Sequence, residues 1–239
     1  MTRCPPAVPG TVELSVPGAP ADVRVVLARV APLTGWAESV RDCLDDDERA
    51  RAAALRSPAD RRRFVVAHCV LRHVLAARTG ADPGALRLGP PRPVRGPRPK
   101  PRLEDHALRF SLSHSGSRIL VATAEREVGV DVEGLQDPVA AEQVLPLLHP
   151  AEIAAVRNLP AADRPAAVTT VWARKESLLK AMGSGLFRDP AVDEVGAGPV
   201  PEHPVAGWRI LDVPLPPDPG PAPSNARAAL TVHVPSDRS

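Results

Sequence analysis

The 239-residue chain has no tyrosine and only three phenylalanines and three tryptophans. We therefore expect a core built mainly from leucine, valine, alanine and isoleucine. With 44% hydrophobic residues, the chain has enough apolar surface for one large domain or two small ones. The 30 prolines and 16 glycines are many, but they stay below the share that indicates disorder.

Long apolar runs are also missing. A membrane-spanning helix needs about 18 to 20 consecutive apolar residues, and prolines and arginines interrupt every run before that length. The first 20 residues contain no basic segment that leads into an apolar stretch, so they do not predict a secretory signal. The sequence predicts neither export nor membrane insertion.

Cysteine and net charge are low as well. Cys4, Cys43 and Cys69 match no paired zinc-ligand spacing and cannot form an even disulfide framework, which favours a cytoplasmic protein. The net charge of +2 is too close to zero for an electrostatic nucleic-acid binder, although arginine is dense between Arg87 and Arg109. We expect neither nucleic acid nor membrane as a partner.

Lysine is scarce, since Lys100, Lys175 and Lys180 are the only lysines among 30 basic residues. The richness in alanine, arginine and proline indicates a bias that replaces lysine wherever arginine serves equally well. The compact ammonium and the planar guanidinium are not interchangeable at a crowded phosphate or carboxylate site. The three lysines are therefore candidate site residues, unless they survive by chance on solvated surface.

Hydrophobic periodicity predicts a mixed chain of helices and strands after a loose N-terminal arm (residues 1–20). Long helices are predicted at 61–78, with Asp60 as the cap, and at 163–182, before Gly183. Strands are predicted at 23–27, 108–113, 119–124, 128–132, 208–213 and 228–234, and shorter helices at 49–55, 140–148 and 151–158. The proline-rich segment 87–102 is predicted to be an extended loop.

Two acidic residues alternate with valine in the segment Gly129-Val130-Asp131-Val132-Glu133. In a strand, the period of two places Asp131 and Glu133 on one face, roughly 7 Å apart. Two carboxylates on one rigid face can bind a hard divalent cation such as Mg²⁺. The same alternation is also typical of a half-buried strand with a solvated acidic face.

Trp172, Glu176 and Lys180 follow one another at intervals of four residues, so they share one stripe of the predicted helix. Glu followed by Lys at this interval is also an ordinary surface pair. The neighbouring tryptophan favours partial burial, and a buried carboxylate needs a partner, a metal ion or a proton.

Ser111-Leu112-Ser113-His114-Ser115 ends a predicted strand in hydroxyl and imidazole groups, which could cradle a phosphate or simply form a polar hairpin turn. The arginines at 61–63 and 92–102 could bind anions or be solvated.

In this order, these segments resemble the 4′-phosphopantetheinyl transferases of the surfactin-synthetase-activating type. The resemblance runs from about Leu44 to Leu186, and the ordered set of motifs is more specific than any single one. The motifs are Arg63-Phe64, Pro99-Lys100-Pro101, Phe110-Ser111-Leu112-Ser113-His114-Ser115, Gly129-Val130-Asp131-Val132-Glu133 and the segment from Trp172 to Leu186. The chain departs from the family pattern at Pro99, where glycine is usual, and in using arginine near the nucleotide end.

The resemblance implies an α+β fold of two similar subdomains in a pseudo-twofold arrangement, with the active site in the cleft between them. Residues 1–126 would form the subdomain on the coenzyme A side, and residues 127–239 the subdomain with the metal and catalytic carboxylates. The implied enzyme is a monomer that transfers 4′-phosphopantetheine from coenzyme A to a serine of an apo acyl or peptidyl carrier protein. It releases 3′,5′-ADP, depends on Mg²⁺, and activates carriers of polyketide or nonribosomal-peptide secondary metabolism.

The resemblance also assigns roles to individual residues. Asp131, Glu133 and Glu176 match the Mg²⁺ ligands, and Glu176 is also the candidate base. Lys180 matches the lysine that neutralises the pyrophosphate, and His114 completes the catalytic set. The residues expected to bind coenzyme A are Arg51, Arg63, Lys100, Ser113, His114 and Lys180.

Three other functions remain open from the sequence. A catalytically idle relative would bind coenzyme A or a carrier protein without transfer. A Mg²⁺-dependent phosphohydrolase would use the same carboxylates on coenzyme A or a nucleotide. An RNA-binding protein would use the arginine-rich loop and show steeply salt-dependent binding.

Overall fold

The computed structural model describes residues 8–89, 100–184, 188–217 and 226–234. The described residues leave out most of the proline-rich loop with Pro99, the start of the arm with Cys4, Leu186 at the end of the last motif, and parts of the C-terminal tail. No helix within the described ranges is both long and apolar enough to cross a membrane.

The first half of the chain forms an antiparallel four-stranded sheet in the order β1-β2-β6-β5. The strands are β1 (Val12–Leu14), β2 (Arg24–Arg29), β5 (Arg109–Ser115) and β6 (Arg118–Ala124). Three helices lie between β2 and β5: α1 (Val30–Ser39), α2 (Asp46–Ala54) and α3 (Pro58–Thr79). They are followed by a separate pair of short strands, β3 (Leu88–Gly89) and β4 (Arg102–Leu103).

The second half forms an antiparallel three-stranded sheet in the order β7-β9-β8. The strands are β7 (Val128–Gly134), β8 (Trp208–Asp212) and β9 (Ala226–His233). The helices α4 (Pro138–Val144), α5 (Pro150–Arg157) and α6 (Arg164–Met182) lie between β7 and β8.

The two halves repeat one order of elements. Apart from β1 and the β3–β4 pair, which have no counterpart among the described residues of the second half, each half has a strand (β2 or β7), short helices, a long helix and two further strands. The last of these strands lies between the other two in the sheet. The long helices also carry equivalent buried ion pairs: Arg72 with Glu48 of α2 at 2.6 Å, and Lys175 with Glu152 of α5 at 2.7 Å. The mixed helix and strand composition is confirmed, while the pseudo-twofold relation and the boundary after residue 126 stay predictions.

Three local expectations were wrong. The helix α3 begins at Pro58, three residues earlier than predicted, because Ser57 and not Asp60 is the N-cap; Ser57 Oγ accepts a hydrogen bond from the Asp60 amide at 3.3 Å. The N-terminal arm is not loose throughout, since β1 pairs with β2. The proline-rich segment contains strand residues at both ends, in β3 and β4.

The core is aliphatic, as its composition predicts. One cluster lies around α1 and α3, a second between the strands of both sheets, and a third around α6. Cys43 and Cys69 lie in or against the first cluster as free thiols, with their sulfur atoms 3.9 Å apart.

Candidate active site

A cavity of about 610 Å³ lies between the two halves of the chain. Its walls come from α2, α3 and β5 on one side and from β7 and α6 on the other. Pockets for small molecules and cofactors typically have volumes of about 300–1,000 Å³. The chemically active side chains on the wall are Arg51, His68, Lys100, Ser113, His114, Asp131, Glu133, Glu176 and Lys180.

Gly129 allows α6 to approach β7 closely enough to bring their acidic residues to one place. A Cβ atom at position 129 would lie 2.1 Å from the Ser177 carbonyl oxygen and 2.4 Å from the Ala181 amide nitrogen, so only glycine fits against this helix backbone. The contact lies two residues before Asp131 along the strand, and the helix residues that it involves directly follow Glu176 and Lys180. Strand and helix therefore present their functional groups to the same cavity.

Asp131 is the buried centre of this arrangement, with 2% of its surface exposed. Its Oδ1 accepts hydrogen bonds from Ser113 Oγ at 2.8 Å and from Lys180 Nζ at 2.5 Å. Its Oδ2 is buried and has no hydrogen-bond partner among the described residues. A buried carboxylate oxygen without a partner is energetically costly, so Oδ2 is available to a ligand that supplies positive charge.

Glu133 and Glu176 are partly buried beside Asp131, and both hold their protons more tightly than free glutamate does. Burial, together with the negative charges of Asp131 and Glu176, raises the pKa of Glu133 to about 7, against the opposing effects of Lys180 and of the Ser115 hydroxyl. Burial also raises the pKa of Glu176, where Lys180 again opposes the shift and Asp131 adds to it. The three carboxylates share one ammonium group, which leaves the site short of positive charge.

This donor set suits a hard divalent cation. Within the described ranges, no three His, Cys, Asp or Glu side chains already have the arrangement of a metal site. Carboxylate oxygens are nevertheless the ligands that Mg²⁺ takes, together with water and phosphate oxygens. The bare Oδ2 of Asp131 and the mutual repulsion of the carboxylates both favour such an ion.

Ser113 and His114 both line the cavity, but from opposite sides of β5. Ser113 faces Asp131 and Lys180, and its Oγ accepts a hydrogen bond from Lys180 Nζ at 3.1 Å. His114 is exposed by surface area, yet its pKa is lowered by partial desolvation of the ring and by the positive charges of Arg63, His68 and Lys180. At neutral pH the ring is neutral and can accept a hydrogen bond.

Of the remaining predicted residues, Lys100 and Arg51 line the cavity and Arg63 does not. Lys100 Nζ donates to the Val128 carbonyl at 2.6 Å and to Glu127 at 3.3 Å, and burial lowers the pKa of this lysine. Arg63 on α3 is paired with Asp60 and lies outside the set of residues that line the cavity.

The inference that all three lysines are site residues was wrong for Lys175. Its side chain is 2% exposed, pairs with Glu152, and donates to the Asp193 carbonyl at 2.6 Å, away from the cavity. In this arginine-rich chain, lysine is kept where the compact ammonium group is required. A tightly packed buried ion pair requires it as much as a phosphate-binding site does.

The sequence analysis missed an aromatic stack at the first-half end of the cavity. The rings of Phe64 and His68 are stacked with centroids 4.0 Å apart, and the Arg51 guanidinium lies 5.2 Å from the Phe64 centroid. His68 Nδ1 lies 2.7 Å from Glu48 Oε1. The spacing of four residues between Phe64 and His68 on one predicted helix is the signal that could have revealed the stack.

Comparison with known proteins identifies the family of the chain. A model of the 4′-phosphopantetheinyl transferase superfamily matches residues 127–202, which include the three carboxylates and Lys180. The chain is 30% identical over 180 residues to the 4′-phosphopantetheinyl transferase HetI of Nostoc sp., covering 71% of this chain and 73% of that protein. It is also 30% identical over 148 residues to the putative 4′-phosphopantetheinyl transferase slr0495 of Synechocystis sp., covering 60% of this chain and 58% of that protein. These matches identify the superfamily rather than one type within it, and they show that the chain belongs to the 4′-phosphopantetheinyl transferases.

Proposed function

We propose that this enzyme transfers 4′-phosphopantetheine from coenzyme A to a serine of an apo acyl or peptidyl carrier protein, with Mg²⁺ as cofactor. The observation that carries the proposal is the bare, buried Oδ2 of Asp131 beside Glu133 and Glu176, on the wall of a cavity that both halves of the chain form. We further propose that the enzyme is a cytoplasmic monomer of the surfactin-synthetase-activating type, acting on carriers of secondary metabolism.

In this proposal, Asp131, Glu133 and Glu176 are the residues that would hold the Mg²⁺ ion. When bound, the ion cancels charge on the phosphate oxygens and so eases the approach of a nucleophile. Lys180, which contacts Asp131 and Ser113 at the cavity wall, supplies a second positive charge to the same oxygens.

The carboxylate of Glu176 is proposed to accept the proton from the serine hydroxyl of the carrier protein. The position of Glu176 on the cavity wall supports this role, because a general base must lie within reach of the hydroxyl group whose proton it accepts. The serine oxygen then forms a bond to the β-phosphorus, and the bond from that phosphorus to the bridging oxygen breaks. The leaving group is 3′,5′-ADP.

The nucleotide of coenzyme A is proposed to lie toward the first half of the chain. Lys100, Ser113 and His114 line the cavity together with Arg51, while Arg63 does not line it. Arg51 and Lys100 would meet phosphate as cations, and the neutral ring of His114 would take part in hydrogen bonds rather than charge pairing.

The test is the intact mass of an apo carrier protein after incubation with the enzyme, coenzyme A and Mg²⁺. We expect the carrier to gain one phosphopantetheine group, and the gain to be lost without Mg²⁺ and with Glu176→Gln. The matched control is Glu125→Gln at an exposed position, which should transfer normally. Normal transfer by Glu176→Gln would contradict the assignment of the base.

The same experiment separates the alternatives. Coenzyme A binding without transfer to carriers of several types would favour an idle relative. Release of phosphopantetheine in the absence of any carrier would favour a phosphohydrolase.

A further inference from the structure

The strands β5 and β7 run side by side in the same direction, although they belong to different sheets. Three serine hydroxyl groups of β5 connect them, and we call Ser111, Ser113 and Ser115 the serine ladder. Each hydroxyl oxygen accepts a hydrogen bond from a main-chain amide of β7: Val130 to Ser111 at 3.0 Å, Val132 to Ser113 at 3.3 Å, and Gly134 to Ser115 at 3.0 Å.

These hydroxyl groups take the place of carbonyl groups from a neighbouring strand. The other edge of β7 pairs with β9, so the amides that face β5 would otherwise have no acceptor in the sheet. A buried amide without an acceptor is costly, and therefore each serine satisfies a group that the fold cannot leave unpaired. The spacing of 19 residues between acceptor and donor is the same at all three positions, so a slip of β7 by one residue would break all three bonds.

The serine ladder also contacts the carboxylates that lie between these amides. Ser113 Oγ donates to Asp131 Oδ1 at 2.8 Å, and Ser115 Oγ donates to Glu133 Oε2 at 3.5 Å. A serine hydroxyl has one proton to donate and two lone pairs that accept. In Ser113 and Ser115, the hydroxyl oxygen accepts the β7 amide through a lone pair, and the hydroxyl proton is donated to the neighbouring carboxylate.

We propose that Ser111 and Ser115 are positioning residues for the metal-binding carboxylates, acting through the backbone of β7. Ser111 fixes the strand immediately before Asp131, and Ser115 fixes it immediately after Glu133 while orienting that side chain. The inference rests on the proposed function, in which Asp131 and Glu133 hold the cation. It adds that three alternate serines of β5 hold the segment of β7 backbone that carries both carboxylates.

The test compares Ser115→Ala, Ser115→Thr and Ser111→Ala with the wild-type enzyme. Threonine keeps the hydroxyl and alanine removes it, and Ser115 is only partly buried, so both substitutions can be accommodated. The matched control is Ser39→Ala, which removes an exposed hydroxyl that donates only to the Trp36 carbonyl of its own helix. The measurements are amide hydrogen exchange in β7, Mn²⁺ affinity by electron paramagnetic resonance, kcat, and the KM for coenzyme A.

In Ser115→Ala we expect the Gly134 amide to exchange roughly five- to tenfold faster, in line with the loss of one hydrogen bond. In Ser111→Ala the Val130 amide should change in the same way. Both variants should bind Mn²⁺ more weakly by a similar factor and show a lower kcat, with the KM for coenzyme A within about twofold of wild type. Ser115→Thr should restore all of these values, and Ser39→Ala should change none.

Faster exchange with unchanged Mn²⁺ affinity and kcat would overturn the proposal, because the serine ladder would then only join the two sheets. A wild-type enzyme that binds no Mn²⁺ would overturn it too. Exchange and Mn²⁺ binding are measured without a carrier protein. Wild-type Mn²⁺ binding without any transfer would therefore count against the proposed function alone, and the comparison of variants would still decide the role of the serine ladder.

Discussion

The ammonium group of Lys180 lies 2.5 Å from Asp131 Oδ1, and this contact leaves Oδ2 of the same carboxylate without a partner. One oxygen of Asp131 thus has its hydrogen-bond partners within the protein, and the other is buried without a partner among the described residues. A cation bound at this carboxylate would supply the missing partner. Lys180 would therefore belong to the proposed metal site as well as to the proposed phosphate site.

Lys180→Met is therefore expected to lower transfer strongly. The change removes the cation from Asp131 and from the phosphates, and losing one preorganised donor in an active site typically costs about 100- to 1,000-fold in kcat. The measurement is the rate of carrier modification by intact mass. Lys180→Arg should restore little, because the broad guanidinium cannot replace a compact ammonium between Asp131 and Ser113.

The control for Lys180→Met is Arg62→Met, which removes a cation from an exposed position of α3. It should leave the rate within about twofold, as exposed charges contribute little. A transfer rate of Lys180→Met within about twofold of wild type, like that expected for Arg62→Met, would contradict a role for Lys180 in the reaction.

Gly129→Ala should impair both stability and transfer. The new Cβ would meet the backbone of α6 at 2.1 Å and 2.4 Å, so the helix must move away from β7. Overpacking of this kind typically costs about 1–3 kcal/mol, and the shift also moves Glu176 and Lys180 away from Asp131. Chemical unfolding and the transfer rate together measure the effect.

Gly35→Ala is the matched change for Gly129→Ala. Gly35 lies in α1 with no atom within 4 Å of the added Cβ, so the substitution should be neutral or slightly stabilising. Equal stability of the two variants would show that α6 does not depend on the close approach at Gly129.

Lys175→Met tests the division between structural and functional lysines. The change leaves Glu152 buried beside an apolar side chain, and breaking a buried ion pair from one side costs about 3–5 kcal/mol. Chemical unfolding should show this loss, and Glu152→Gln combined with Lys175→Met should recover part of it. Affinity for coenzyme A, measured at a temperature where the variant is folded, should stay within about twofold of wild type because Lys175 does not line the cavity. A large loss of affinity for coenzyme A without a loss of unfolding free energy would show that Lys175 is a site residue after all.

The sequence predicted the elements that periodicity and end signals define. Both long helices and the hairpin of β5 and β6 follow from their patterns, and Gly80 and Gly183 end the helices with positive φ values of 72°. Contacts between elements that are distant in the chain were not predictable in this way. The distinction between Lys175 and Lys180 is an example: they lie five residues apart on one helix, and only tertiary packing determines that one meets Glu152 and the other Asp131. The serine ladder was likewise hidden, because the sequence shows alternation but not which strand faces it.

The raised pKa of Glu133 predicts how the metal-free enzyme responds to pH. Its folded value of about 7 exceeds the ordinary value of 4.5, so the folded state binds the proton more tightly than the unfolded state does. The resulting stability is fully present below about pH 4.5 and is lost as the pH rises through about 7. In the presence of a chelator, the melting temperature of the wild type should therefore fall between pH 5 and pH 8 relative to that of Glu133→Gln, which cannot ionise. Glu176 shifts in the same direction and remains in both proteins, so it does not create the difference. Parallel curves for the two proteins would contradict the burial of Glu133, and Glu125→Gln, at an exposed position, should follow the wild type throughout.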